Sequence, residues 1–171
     1  MMTDTVTATA AEHGIVATRL GDLTVVRAGE QLTGVYFPHH WHRPDPATFG
    51  PRTSRGLDAV ARQLGEYLAG ARQEFDLPLR LRGTELQLRV WELIAQVPYG
   101  RTTTYGDLAR RVGGGVTPQE AGAAVGANPL SILIPCHRVI GSTGKLTGYA
   151  GGLARKRELL DLERGQLTVP A

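Results

Sequence analysis

Apolar, largely β-branched residues gather in three short runs that read as strands, Ile15-Val16-Ala17-Thr18, Leu23-Thr24-Val25-Val26 and Leu32-Thr33-Gly34-Val35-Tyr36-Phe37. Gly21-Asp22 and Gly29-Glu30 separate them, and such dipeptides favour tight turns because glycine reaches positive φ without a steric cost. The pattern predicts a three-stranded antiparallel meander behind a loose, Thr- and Ala-rich segment over residues 1–13. Pro38 to Pro51 contains four prolines and reads as a loop. The period then changes. Leu57, Val60, Leu64, Tyr67 and Leu68 recur at spacings of three and four, which predicts a helix stopped by Gly70. Leu77 to Leu81, around Pro78, reads as an extended connection between two halves.

The second half is marked by caps. Thr84-Glu85-Leu86-Gln87 is a capping box that opens a helix through Val90, Trp91 and Ile94, ending before Pro98. Thr104-Tyr105-Gly106-Asp107 caps a second helix through Leu108 and Val112, closed by Gly113-Gly114-Gly115. Thr117-Pro118-Gln119-Glu120 caps a third, with proline at the first helical position. Two short helices joined by a glycine turn suggest a helix-turn-helix. The third runs Ala121-Gly122-Ala123-Ala124-Val125-Gly126-Ala127, too short of long polar side chains to read base edges in a major groove. Small residues permit either a close approach to another molecule or tight helix packing, and the pattern does not choose between them.

Charge and cysteine content narrow the chemistry. The 171-residue chain carries +3 overall, but residues 1–79 hold seven arginines against nine carboxylates, whereas residues 80–171 sum to +5. A basic half beside an acidic one suits a polyanion-binding domain on a scaffold, or simply an arginine-covered surface. One cysteine excludes disulfide frameworks, Cys-x-x-Cys redox pairs and multi-cysteine zinc sites. No apolar run has the length of a membrane span, and Met1 to Ala8 lacks the basic-then-apolar order of a secretory signal, so a soluble, cytoplasmic protein is expected.

The lone cysteine follows an apolar stretch that reads as a buried strand: Asn128-Pro129-Leu130-Ser131-Ile132-Leu133-Ile134-Pro135-Cys136-His137-Arg138-Val139-Ile140. A lone buried cysteine is ordinarily structural. A nucleophilic one needs neighbours that favour the thiolate, and His137 and Arg138 adjoin it. Neighbours on an extended segment point to opposite faces, so His137 reaches Cys136 only by a turn or through water.

Ile134 to Ile140 resembles the active-site signature of the O6-alkylguanine-DNA alkyltransferases, also called methylated-DNA–protein-cysteine methyltransferases. The resemblance runs over residues 83–163, through Val97-Pro98-Tyr99-Gly100, Thr104-Tyr105, Asn128-Pro129 and Leu146-Thr147-Gly148-Tyr149 to Glu163, and is looser before it. It implies an α/β plus α architecture. Residues 1–78 would form a small ribonuclease-H-like antiparallel-sheet domain, and residues 79–171 a mostly helical domain with a winged-helix-like helix-turn-helix. It further implies transfer of an alkyl group from O6-alkylguanine, less surely from O4-alkylthymine, irreversibly to Cys136, one base per protein, with no cofactor or metal. His137 would take the thiol proton through a water, Glu163 would orient the imidazole, Tyr105 would donate to the leaving guanine, and Asn128 would brace the turn. Val125, Val139, Tyr149 and Ala150 would wall the base pocket. A monomer would meet double-stranded DNA through the minor groove with Gln119, Ala121, Gly122, Arg138 and Thr104, flipping the damaged base.

Two departures stand out. Gln119 occupies the place where the family usually has an intercalating arginine, and Ala150 the place of a frequent serine. A lesion-binding relative that does not transfer is the alternative, although such relatives replace the cysteine that this chain keeps. A Cys–His hydrolase would leave the basic helix-turn-helix unexplained. The cluster His39-His40-Trp41-His42 reads as surface in a proline-rich loop, and Arg155-Lys156-Arg157 as a solvated face or a phosphate contact.

Overall fold

A computed structural model describes residues 10–41, 43–146 and 148–167, with backbone alone for residues 166 and 167. His42, Thr147 and residues 1–9 lie outside the described residues. The meander forms as strands β1 (Ala11–Thr18), β2 (Gly21–Ala28) and β3 (Gln31–Tyr36), paired antiparallel in the order β1-β2-β3. β1 begins four residues before the expected Ile15, because Ala11 to Gly14 pair with Ala28 to Val25 despite their weak strand composition. Tertiary pairing outweighs local propensity there. Within the proline-rich loop, Asp45 caps a short 3-10 turn over Pro46–Phe49.

Helix α1 (Asp58–Leu68) lays Val60, Leu64, Tyr67 and Leu68 against the core, as its spacing requires. The 77–81 connection then pairs with the outer edge of β3. Leu32 donates its N–H to the Pro78 carbonyl at 2.8 Å and accepts from Arg80 at 2.9 Å. An exposed sheet edge is thereby covered by the chain itself.

The second half holds α2 (Glu85–Ala95), α3 (Tyr105–Val112), α4 (Pro118–Gly126) and α5 (Leu153–Leu167). All three expected threonine caps form: Thr84, Thr104 and Thr117 each accept from the backbone N–H three residues on. Such caps contribute about 1 kcal/mol each. Thr103–Thr104 (β4) pairs in parallel with Val139–Ile140 (β5), a two-residue wing beside the helix pair. Buried Trp91 on α2 donates its indole N–H to the Ala124 carbonyl at 2.8 Å, which anchors α4 to α2. One apolar cluster continues through both halves, from Leu23 and Val35 to Trp91, Leu108 and Leu159.

The apolar run before Cys136 is a compact turn, not the expected strand. Leu130 makes only an isolated bridge to Val35, and Ile132 adopts φ 70°. A β-branched residue there is strained by about 1–3 kcal/mol, and strain of this kind persists only when the surroundings over-determine it. The surroundings do so from both halves. Val35 donates to the Pro129 carbonyl at 2.8 Å and accepts from Ser131 at 3.2 Å, while Asn128 clamps the turn from within.

Candidate active site

Pro135 ends the turn, and Cys136–Arg138 form one turn of 3-10 helix. That turn changes what neighbouring side chains can reach. Cys136, His137 and Arg138 are all buried, with Cys136 on the floor of a pocket and the other two side chains turned into a charge cluster behind it.

The cluster centres on Glu163 of α5, 1 % exposed. Its Oε2 accepts from His137 Nε2 at 2.8 Å, from the Tyr67 phenol at 2.5 Å and from Arg138 Nη2 at 2.9 Å. Its Oε1 accepts from Arg138 Nε at 2.8 Å and from the Gly100 N–H at 3.2 Å. Burial by itself would raise this carboxyl, but the hydrogen bonds from His137, Arg138 and Tyr67 hold it well below the usual carboxylate range. It is therefore a fixed anion, paired in two-point fashion with a guanidinium. Burial lowers His137, and the Arg138 and Lys156 charges add to that against the pull of Glu163. The imidazole is neutral at rest. Since Glu163 cannot donate, the proton sits on Nε2, and the buried Nδ1 has no partner among the described residues.

Burial pushes the Cys136 thiol up, while the Asn128 amide, the Lys156 ammonium and the backbone N–H groups of Cys136 and His137 act the other way. The resting pair is thus a thiol beside a neutral imidazole, and ionisation belongs to the reaction itself. Asn128 donates to the Ile134 carbonyl at 2.9 Å and accepts from the Leu130 N–H at 2.9 Å, so it both shapes the turn and faces the thiol.

In front of Cys136 lies a largely apolar pocket of about 580 Å³, lined by Tyr105, Gly122, Val125, Tyr149 and Ala150 among others. A Cβ on Gly122 would stand 3.5 Å from the Tyr105 ring, so any longer side chain there would crowd the cavity mouth. Gly151 lets Phe37 approach so closely that a Cβ would lie 2.5 Å from its ring, and Phe37 in turn packs edge-on against Tyr149. The Tyr149 hydroxyl is buried without a partner among the described residues.

The other expected site residues fall on both sides of this line. Gln119 is exposed, Gly122 is half-buried, and Thr104 is half-buried with its hydroxyl capping α3. Ala121 is a correction: it is wholly buried in the core, and the outward position of that turn is Ala123. Arg138 is another. Its guanidinium is spent on Glu163 and on the Val97 carbonyl at 2.7 Å, so it faces inward and not a DNA surface. Val139 is fully buried in β5, outside the pocket lining, and its carbonyl accepts from Lys156 Nζ at 2.6 Å.

The basic run at the head of α5 is neither of the two things expected of it as a whole. Arg155 donates to the Leu20 carbonyl at 2.7 Å and to that of Gly151 at 2.9 Å, and lies over the Phe37 ring. Lys156 is wholly buried, and burial lowers it to about 8. Only Arg157 is exposed. In the histidine loop, His39 is exposed but His40 is buried against the Tyr36 and Phe37 rings, which corrects the surface reading. Trp41, 64 % exposed, lines the Cys136 pocket and was missed as a site residue; an aromatic beside three histidines in a loop carries no signal of where that loop docks. The sequence marks Tyr67 only as a core position of α1.

Comparison with known proteins agrees with this geometry. Residues 12–81 match the family described as 6-O-methylguanine DNA methyltransferase, ribonuclease-like domain, and residues 85–165 its DNA binding domain. The methylated-DNA–protein-cysteine methyltransferase of Mycobacterium tuberculosis is 44 % identical over 155 residues, 86 % of this chain and 88 % of the relative. That of Mycolicibacterium paratuberculosis is 43 % identical over 153 residues, 90 % and 92 % of the two chains. The crystal structure of Mycobacterium tuberculosis OGT in complex with DNA superposes with a TM-score of 0.85 at 39 % identity, covering 91 % of this chain and 94 % of that one. A sole cysteine on the floor of an apolar pocket, backed by a histidine–glutamate pair in this fold, completes the case: the chain belongs to the methylated-DNA–protein-cysteine methyltransferases, which repair alkylated DNA by direct reversal at one cysteine.

Proposed function

We propose that Cys136 accepts the alkyl group of O6-alkylguanine, methyl foremost, with O4-alkylthymine as a lesser substrate. The observation that carries this reading is the position of the only thiol, at the floor of the apolar pocket with the His137–Glu163 pair directly behind it. Double-stranded DNA is the partner. Helix α4 would enter the minor groove with Gln119, Gly122 and Ala123 outward, assisted by Thr104, and the damaged nucleotide would flip into the pocket between Val125, Tyr149 and Ala150. The run of small residues on α4 then has a use, since a backbone that must lie deep in a groove cannot carry bulk. A monomer suffices, residues 1–78 serving as the supporting domain and residues 79–171 as the reacting one.

In the reaction the thiol proton passes through solvent to the bare Nδ1 of His137, and Glu163 stabilises the imidazolium that forms. The sulfur electron pair attacks the alkyl carbon, the carbon–O6 bond breaks, and its electron pair leaves with guanine. Tyr105 donates to the departing ring as charge develops on it. The product thioether holds the alkyl group through a carbon–sulfur bond with a poor leaving group, so each molecule reacts once.

The test is the intact mass of the protein after incubation with duplex DNA bearing one O6-methylguanine. A gain of one methylene's mass, saturating at one equivalent and absent from Cys136→Ser, is expected. Lesion binding without a mass change would replace this reading with that of a lesion-flagging protein.

A further inference from the structure

The first half of the chain does more than support the second. Tyr67 sits on α1, wholly buried, and its phenol reaches across to Glu163 Oε2 at 2.5 Å, with His137 Nε2 at 3.4 Å. Its single proton has one destination. The nearer acceptor is an anion, and Nε2 carries its own proton toward the same oxygen. We propose that Tyr67 is a positioning residue of the transfer reaction: its phenol shares Glu163 Oε2 with His137, which tempers the pull of that carboxylate on the imidazole and keeps Nδ1 bare to receive the proton of Cys136.

Three observations support this. The phenol is fixed in place by ring contacts, edge-on to Tyr99 at 6.1 Å and tilted on Phe75 at 5.2 Å, so the hydroxyl has little freedom to seek another acceptor. Burial first, and then the Glu163 charge, push the phenol far above its ordinary range, so it is a donor at every working pH. Glu163 Oε2 already serves Arg138 Nη2 as well as His137, so each added donor reduces the negative charge that His137 meets. The groups facing His137 are Glu163 and Lys156 from α5, Arg138 and Cys136 from its own turn, and Tyr67 from α1, with Tyr99 beside Arg138. Among these, Tyr67 is the neutral hydroxyl that weakens the pull of Glu163 without adding a charge.

The proposal rests on the reading of Cys136 as the reacting thiol, and the experiment separates the two. Because Cys136 is the only cysteine, its alkylation by iodoacetamide, followed by intact mass across pH, reports this thiol alone and needs no DNA. Removing the phenol proton leaves Glu163 more strongly directed at His137 and raises its basicity. In Tyr67→Phe the midpoint of the acid limb is expected to move up by about half to one pH unit, both for iodoacetamide and for methyl transfer from O6-methylguanine duplex. A merely structural tyrosine would lower the amplitude and leave the midpoint in place, which would overturn the proposal. Replacing Tyr67 by 3,5-difluorotyrosine, a stronger donor of the same shape, is expected to move the midpoint down by a few tenths of a unit. An unmoved midpoint there overturns the proposal even if Tyr67→Phe does not fold. If the wild-type protein takes no methyl from DNA while the iodoacetamide midpoints shift as stated, the functional reading fails and the influence of Tyr67 on the proton acceptor of Cys136 stands.

Discussion

The two sides of Cys136 are built on opposite terms. Behind it, one carboxylate accepts from His137, Tyr67, Arg138 and Gly100, and nothing charged is left unpaired in that cluster among the described residues. In front of it, the walls are Gly122, Val125, Ala150 and the ring of Tyr149, whose hydroxyl has no partner among the described residues. The rear is a finished electrostatic structure, with the Glu163 charge met by Arg138 on both oxygens. The front is a largely apolar, open cavity. The difference shows where stability is at stake: charges behind should be costly to change for the fold, and small residues in front costly mainly for the reaction.

The rear offers the largest test. Glu163→Gln leaves the Arg138 guanidinium buried against a neutral amide, and breaking a buried pair in this way costs about 3–5 kcal/mol. Urea unfolding should register that loss, and a second change, Arg138→Met, should restore much of it. A loss under about 1 kcal/mol would mean that water already screens the cluster. The pH dependence has a definite sign. A carboxyl held below its unfolded value contributes stability above about pH 4.3, and that contribution disappears as pH falls toward the folded value. Glu163→Gln should therefore lose less stability between pH 5 and pH 3 than the wild type does.

The front offers the next test, with the opposite signature. Gly122→Leu meets only an ordinary contact at Cβ and gains helix propensity, so its thermal midpoint should change by no more than a few degrees. Its outer carbons would fill the pocket, and single-turnover methyl transfer should fall by more than about tenfold. Equal loss of stability and rate would erase the distinction between the two sides. The smallest effect is expected at the rim. Gln119→Arg adds one positive charge where α4 faces outward, so the slope of log affinity for duplex DNA against log salt should steepen by up to about one. An unchanged slope would place residue 119 away from the phosphates.

The residues differ in how far the sequence reveals them. Thr84, Thr104 and Thr117 were readable as caps because each bonds to a backbone N–H three residues away, within one turn. Arg155 was not readable as a core anchor, since its acceptor, the Leu20 carbonyl, lies 135 residues distant. Tyr67 and Glu163 are 96 residues apart, and on the helical wheel of α1 a buried tyrosine is simply one more apolar position. The turn at Ile132 misled for a related reason. Five apolar or small residues in a row, Leu130 to Ile134, satisfy the strand pattern, yet only the clamp of Asn128 and the edge of β3 make the strained turn tolerable.

By itself the sequence determined what depends on neighbours: the meander, the helix starts, the glycine-closed helix pair, and a Pro-Cys-His-Arg run whose chemistry is named by its family resemblance. The tertiary structure alone decided which charges are interior and whom they serve. It turned Arg138 and Lys156 inward, set Trp41 at the pocket mouth, and brought the phenol of Tyr67 to the carboxylate of Glu163. The physical reason is range. Caps, turns and periodicity are settled within a few residues, whereas a buried charge is stable only beside its partner, and that partner can come from anywhere along the chain.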